Sequence, residues 1–148
     1  MSCSVARTLE AAGDRWSLLL MRDAFFGIKR FEDFQRDLGI ARNILSHRLS
    51  KLVEHGLMER RQYSERPVRH EYRLTAMGRD LFGALVMLQH WGDNWAAGEE
   101  GPPRTLTHLD CGKETYPVVT CAECAGELTP FNTRSDPVPE ILLGGEPA

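Results

Sequence analysis

The sequence lacks several features that would assign it to common classes of protein. No apolar run approaches the roughly 18 residues that a transmembrane helix needs, and no secretory signal pattern begins at Met1. The sequence also contains no internal repeat, no phosphate-binding loop and no recognisable set of nucleophile, base and carboxylate. We therefore expect a non-enzymatic, cytoplasmic protein in a reducing compartment, where disulfides are disfavoured.

Charge is distributed unevenly, although the formal net charge of the whole chain is only −3. Residues 29–73 contain eleven Lys and Arg against seven Asp and Glu, whereas residues 93–148 contain three against ten. The chain thus combines a basic module with an acidic C-terminal part. A basic module suits double-stranded DNA as partner, because neutralised phosphates supply much of the affinity of such complexes.

The segment 39–62 has the pattern of a short turn, an amphipathic helix and a basic strand. Its apolar residues follow helical spacing and predict a buried stripe, with Ile44 widening it: Leu45, Leu49, Leu52 and Val53. The opposite face is polar and unpaired in charge: Asn43, Ser46, His47, Ser50 and Glu54. Gly56 predicts a helix end near residue 55. Taken alone, the segment favours an amphipathic helix whose polar face is only solvated.

The neighbouring segments favour a DNA-binding arrangement. Upstream, Phe31, Phe34 and Leu38 share one side of a short helix, and residues 39–41 supply the tight connection of a helix-turn-helix. Downstream, residues 57–63 and 70–75 read as two strands joined by a polar stretch that contains Pro67. The predicted fold class is mainly α with a small β-wing (α+β), a winged helix-turn-helix.

These residues resemble HxlR-type, MarR-like winged helix-turn-helix transcriptional regulators. The resemblance covers about residues 3–95 and is carried by Cys3, DRWSLLLMRD, RFEDF, the predicted recognition helix and GLMERRQYSERPVRHEYRLTAMG. Ser4 departs from the proline that usually follows the N-terminal cysteine in this family. The resemblance implies a dimer formed through the first and last helices of the domain, and a repressor rather than an activator.

Donor chemistry divides the DNA-binding candidates into two groups. In the helix, Arg42 suits guanine, Asn43 suits adenine, and Ser46 and His47 suit either a base or a phosphate. The predicted phosphate contacts are cations of the helix and the wing: Lys51, Arg60, Arg61, Arg66 and Arg69. For Arg60 and Arg61 the alternative is a charged strand edge that only discourages strand pairing.

The segment 75–95 predicts one long helix, capped by Thr75, that is apolar over more than one stripe. One face carries the following residues, with Phe82, Val86 and Met87 beside them: Leu81, Leu85, Leu88, Trp91, Gly92 and Trp95. We expect one side to pack on the domain and the other on a second copy, as paired half-sites in DNA require. The alternative is that both sides pack within one subunit.

Trp16, Leu19 and Leu20 are predicted core residues.

A second constellation, THLDCGKETYPVVTCAECAG, contains His108, Cys111, Cys121 and Cys124 in two pairs of x-x spacing. Zinc takes four such N and S ligands tetrahedrally, so we expect a closed, structural zinc site in a small zinc-ribbon-like segment, with a strand at residues 118–119. The alternatives are a Cys121–Cys124 disulfide, a thiol- or metal-dependent enzyme, and a protein-interaction module. No alternating strand-helix pattern favours a redox pair.

The predicted organisation is a DNA-binding and dimerisation domain over residues 1–97, a Cys/His extension over 98–128 and a mobile acidic tail over 129–148. Only residues 141–143 form an apolar patch in the tail. Cys3 lies where some HxlR-type proteins carry an oxidant sensor, so it is either a redox sensor or an inert cysteine near the dimer interface. The regulatory signal thus has three candidate routes: Cys3, the metal site and a small-molecule effector.

Overall fold

A computed structural model of the protein describes residues 3–136. The structure divides into two units, the first ending at Thr105 and the second beginning at Leu106. Six helices and one hairpin build the first unit, in this order: α1 Ser4–Ala12, α2 Arg15–Phe25, α3 Phe31–Leu38, α4 Arg42–Glu54, β1 Met58–Glu65, β2 Val68–Leu74, α5 Ala76–Asp80 and α6 Phe82–Trp95. Among residues 3–136, no helix combines the length and the apolar character that crossing a membrane requires.

The core of the first unit lies between α2, α3, α4 and the start of β1. Its fully buried apolar side chains come from all four elements: Leu20, Met21, Phe34, Leu45, Leu49, Leu52 and Met58. The predicted stripe of α4 is therefore confirmed at Leu45, Leu49 and Leu52, but the prediction for Ile44 was wrong, because its residue is 38% exposed. The buried stripe is narrow. Ile44 precedes the buried Leu45, and neighbouring residues of a helix point in different directions, so Ile44 lies off the face that packs on the core.

The helix-turn-helix is formed by α3 and α4, as the sequence predicted. Gly39 ends α3 with φ +59, and Gly56 follows the C-terminus of α4 with φ +74, a conformation that only glycine adopts at little cost. Strands β1 and β2 pair antiparallel from Met58↔Leu74 to Glu65↔Val68. The wing is thus longer than predicted and turns tightly at Arg66 and Pro67.

The prediction of one continuous helix over residues 75–95 was wrong. The helix breaks at Leu81, whose N–H donates to the Gly78 carbonyl at 3.3 Å in a tightened turn that separates α5 from α6. Gly78 lies so close to β1 that a Cβ there would be 2.0 Å from the Leu57 carbonyl oxygen. The predicted cap is confirmed, because the Thr75 hydroxyl accepts from the Gly78 N–H at 3.1 Å.

Polar contacts join α4 to the start of α2, and the wing to the loop before α3. Asp14 caps α2 by accepting from the N–H groups of Trp16 and Ser17, and it also pairs with Arg48 of α4 across 3.3 Å. The Tyr72 N–H of β2 donates to the Lys29 carbonyl at 2.7 Å, so the wing is joined to the loop that precedes α3. The helix-turn-helix and the wing are therefore held in one arrangement.

The second unit contains little regular structure in its described part. Strands β3 Leu106–His108 and β4 Lys113–Thr115 form an antiparallel pair, and Thr120 and Glu127 form an isolated bridge. The prediction of a strand at residues 118–119 was wrong. Strand β4 lies earlier in the chain, and Val118 and Val119 are both exposed. The predicted tail from residue 129 is described only to residue 136, and its apolar patch at 141–143 lies outside the described residues.

Candidate nucleic-acid interface

One side of α4 carries the four predicted base-contacting residues. Arg42, Asn43, Ser46 and His47 are all exposed, whereas the opposite side of the helix is in the core. The N-cap residue Ala41 supplies no capping side chain. The positive end of the helix dipole therefore lies beside the polar side chains, which favours an anionic ligand at this end of α4.

The two predicted DNA-contacting cations of α4 have defined partners. The Arg42 guanidinium lies 4.8 Å from the ring centroid of Phe31 in α3, so a cation–π contact orients it. Lys51 Nζ lies 2.7 Å from a Glu54 carboxylate oxygen, and this hydrogen bond lowers the pKa of Glu54. Lys51 thus forms an ion pair within its own helix, whereas Arg42 pairs with no carboxylate among residues 3–136.

The wing presents the other predicted cations. Arg60, Arg61, Arg66 and Arg69 are all exposed. Arg60 pairs with Tyr72 across the hairpin and Arg61 with Glu71, so the two arginines point to opposite faces of the wing. Arg60 also has its Nη2 atom 3.1 Å from Nδ1 of His70.

A groove of about 710 Å³ separates the helix-turn-helix from the wing. It brings together Arg42 and Ser46 of α4 with Arg60 and Arg69 of the wing, whereas the other predicted contacts do not line it. Further side chains that the sequence pattern did not indicate as DNA contacts also line it: Arg30, Phe31, Tyr63, His70 and Tyr72. A sequence signal existed for Arg30, because it occupies the N-cap of α3, where an acceptor side chain is preferred and a cation opposes the helix dipole.

Among residues 3–136, apolar side chains on one face of α1 and one face of α6 are exposed. Helix α6 has no buried residue, and Leu88, Trp91 and Trp95 are 54%, 62% and 78% exposed on one helical face. Val5 and Leu9 form a similar exposed pair in α1. Cys3, at the N-cap of α1, is half-buried and its thiol is not in a disulfide. An exposed apolar surface of this kind marks an interaction site.

In the second unit, each pair of predicted zinc ligands lies on a turn of the same type. The Gly112 N–H donates to the His108 carbonyl, and the Ala125 N–H donates to the Cys121 carbonyl, both at 2.8 Å. The residue after each pair has positive φ, +67 at Gly112 and +58 at Ala125.

The donor atoms of each pair also make local contacts. Cys111 Sγ lies 3.4 Å from His108 Nδ1, and backbone N–H groups of Cys124 and Glu123 hydrogen-bond to Cys121, which lowers the pKa of that thiol. Within residues 3–136, no three His, Cys, Asp or Glu side chains form a group that could hold a metal ion. The structure forms the pairs but does not place all four ligands around one centre.

Comparison with known proteins gives the same assignment for most of the first unit. Residues 11–100 match the HxlR-like helix-turn-helix family. The chain is 51% identical over 136 residues to Rv3095, an HTH-type transcriptional regulator of Mycobacterium tuberculosis, which covers 92% of this chain and 86% of that protein. Because the first unit ends at Thr105, this match extends into the second unit.

Solved structures agree with this result. The candidate transcription factor PA1607 superposes with a TM-score of 0.82 at 40% identity, covering 91% of this chain and 94% of its own. The oxidised redox regulator HypR superposes with a TM-score of 0.58 at 32% identity, covering 62% of this chain and 96% of its own. With an exposed polar helix, a basic wing and a groove between them, the chain belongs to the HxlR-like helix-turn-helix family of DNA-binding transcriptional regulators.

Proposed function

We propose that this protein is a homodimeric repressor that binds an inverted repeat in duplex DNA, with α4 in the major groove and the β1–β2 wing on the backbone. The observation that carries the proposal is the convergence of Arg42 and Ser46 of α4 with Arg60 and Arg69 of the wing on one groove. The choice of repressor over activator comes from the family resemblance alone.

Base recognition is assigned to the exposed side of α4. Arg42 suits the two acceptors of guanine, Asn43 the donor and acceptor of adenine, and Ser46 and His47 either a base or a phosphate. The contact with the Phe31 ring supports this role for Arg42. It already restricts the side chain in the free protein, so less conformational entropy is lost on binding.

Backbone contact is assigned to the wing arginines in preference to Lys51. Arg61, Arg66 and Arg69 are exposed and form no ion pair within residues 3–136, whereas Lys51 already pairs with Glu54. Arg60 and Arg61 point to opposite faces of the wing, and only Arg60 lines the groove. Only one of the two can therefore contact a DNA strand that lies in the groove. We assign that contact to Arg60.

Dimerisation is assigned to the apolar faces of α1 and α6. A 14-residue helix with no buried residue and two largely exposed tryptophans would leave a large apolar surface in water, which monomeric proteins rarely do. A two-fold dimer would also place two α4 helices on the same side of the assembly, as half-sites about one turn of DNA apart require.

The salt dependence of duplex binding tests the backbone assignment. Arg66→Ala should reduce the slope of log K against log salt by about 0.9 for each wing in contact. Arg134→Ala is the matched control, because Arg134 is an exposed arginine of the second unit that pairs with Asp136. Equal slopes for the wild-type protein and Arg66→Ala would place the wing away from the DNA backbone.

We also propose that His108, Cys111, Cys121 and Cys124 bind one structural zinc ion. The like geometry of the two turns supports this proposal, since each pair is presented on the tight turn that zinc knuckles use. A metal in a segment without a core would supply much of its folding energy. Zinc content by elemental analysis, with Cys121→Ser against the wild-type protein, tests the site; a wild-type protein purified in zinc without bound metal contradicts it.

Cys3 is proposed as the oxidant-responsive residue. Cys3 is half-buried at the start of α1, the helix that also carries the exposed Val5 and Leu9, which supports a link between thiol oxidation and the dimer. The similarity to HypR, which is described as a redox regulator, points the same way. Diamide should change the DNA affinity of the wild-type protein but not that of Cys3→Ser; an identical response of both proteins means that Cys3 is inert.

A further inference from the structure

We infer that Arg30, held in place by Tyr63 of the wing, is a further DNA-backbone contact. It binds a phosphodiester group of the DNA strand that lies in the groove between the helix-turn-helix and the wing. The inference deepens the proposed function and rests on it. It adds a residue that lies neither on α4 nor on the wing, at the start of α3.

The Arg30 side chain does not serve α3, although the Arg30 carbonyl accepts the first N–H groups of that helix. As the N-cap of α3, Arg30 supplies no capping hydrogen bond and puts a cation at the positive end of the helix dipole. The preceding residue, Lys29, accepts the Tyr72 N–H at 2.7 Å, which joins this loop to β2. Arg30 thus opposes helix stability at a position that the wing holds fixed.

The side chain is oriented by a defect in the hairpin. Tyr63 is passed over in the pairing between Gln62↔His70 and Ser64↔Arg69, which is a β-bulge. Regular alternation would place Tyr63 on the face of Arg61, but the bulge directs it to the groove that Arg60 lines. There its ring centroid lies 4.9 Å from the Arg30 guanidinium carbon.

The charge of the groove selects an anion. Four arginines line it, Arg30, Arg42, Arg60 and Arg69, against the two carboxylates of Glu32 and Asp33. Asp33 pairs with Arg36, which lies outside the groove, at 2.5 Å. Arg30 forms no ion pair within the part of the chain that the structure describes, and it is stacked on the ring of Tyr63. A stacked guanidinium offers its N–H edge to a phosphate in a preset direction.

The test compares Arg30→Ala with Arg104→Ala in duplex binding from 50 to 200 mM salt. Arg104 is the matched control, since it also stacks on a ring, that of Phe26, but does not line the groove. Loss of one phosphate contact from each subunit of a dimer should flatten the salt slope by about 1.8, so that Arg30→Ala loses about 12-fold less affinity over this range than the wild-type protein. Slopes that are equal for Arg30→Ala and Arg104→Ala would overturn the inference.

Tyr63 variants test how Arg30 is held. Tyr63→Phe keeps the ring and should bind like the wild-type protein, whereas Tyr63→Ala should weaken binding in the same direction as Arg30→Ala. The double variant Arg30→Ala/Tyr63→Ala should then bind no more weakly than Arg30→Ala alone, because the two substitutions remove the same contact. Additive losses, or a Tyr63→Phe variant as weak as Tyr63→Ala, would show that Tyr63 does not position Arg30. Melting curves of all variants control for folding.

The failure of this inference differs from the failure of the proposed function. If the wild-type protein and Arg104→Ala bind no duplex in a salt-dependent way, the proposed function fails. If both bind and Arg30→Ala has their slope, only the Arg30 contact fails. Replacing chloride by inorganic phosphate at constant ionic strength should leave wild-type binding unchanged; selective displacement would assign the groove to free phosphate and overturn the assignment to the DNA strand.

Discussion

Replacing Leu88 by alanine should dissociate the proposed dimer without unfolding the protomer. Leu88 is 54% exposed in α6, and alanine is the best helix former, so the protomer has little to lose. Full burial of a leucine side chain contributes about 1.5–3 kcal/mol, and the exposed half would contribute roughly half of that in an interface. A two-fold interface uses the residue twice, which gives roughly 1.6–3 kcal/mol for the dimer.

This free energy corresponds to an increase in the dimer dissociation constant of about 15- to 150-fold. Sedimentation equilibrium over a range of protein concentrations measures it directly. Val68→Ala is the matched control, because Val68 is an exposed apolar residue on the wing, away from α6. A wild-type protein that is monomeric at high concentration, or a Leu88→Ala dimer as tight as the wild-type dimer, would refute the assignment of α6 to the interface.

Three further substitutions have defined outcomes. Arg42→Ala should relax base preference at one position of each half-site by roughly 1–3 kcal/mol, measured with duplexes substituted at each position; a uniform loss on all duplexes would assign Arg42 to a phosphate. Asp14→Ala should lower the free energy of unfolding by about 0.5–2 kcal/mol in urea titrations, because α2 loses its cap.

Although partial burial alone would raise it, the pKa of Asp14 is lowered by the Ser17 hydrogen bonds and the Arg48 charge, so this stabilisation is present above the ordinary pKa of the carboxyl and is lost as the pH falls through the lowered value. Equal stability of Asp14→Ala and the wild-type protein at neutral pH would contradict the capping role. Gly78→Ala should cost roughly 1–3 kcal/mol, since its Cβ would clash with the Leu57 carbonyl, and an unchanged melting temperature would contradict that contact.

The parts of the fold that follow from local pattern could be predicted from the sequence. The bounds of α4 follow from the spacing of Leu45, Leu49 and Leu52 and from the glycines at residues 39 and 56. The same holds for the existence of the wing and for the cap at Thr75, since each depends on residues that are neighbours in the sequence.

The parts that depend on tertiary contacts could not be predicted. The break at Leu81 accompanies the approach of Gly78 to the Leu57 carbonyl, which is distant in sequence and leaves no periodic signal. Arg30 joins the candidate interface because of a bulge at Tyr63 and a hydrogen bond from Tyr72, and neither is encoded by spacing. The exposure of Ile44 likewise depends on which sides of α4 the neighbouring elements cover.

Selection of bound sequences from a random duplex pool, at near-physiological salt and with the intact protein, tests the central claim most directly. The proposed dimeric reader predicts enrichment of an inverted repeat whose half-sites lie about one helical turn, roughly 10 base pairs, apart. Salt-sensitive binding without any enriched sequence would contradict it, because the exposed side of α4 would then contact DNA without reading bases.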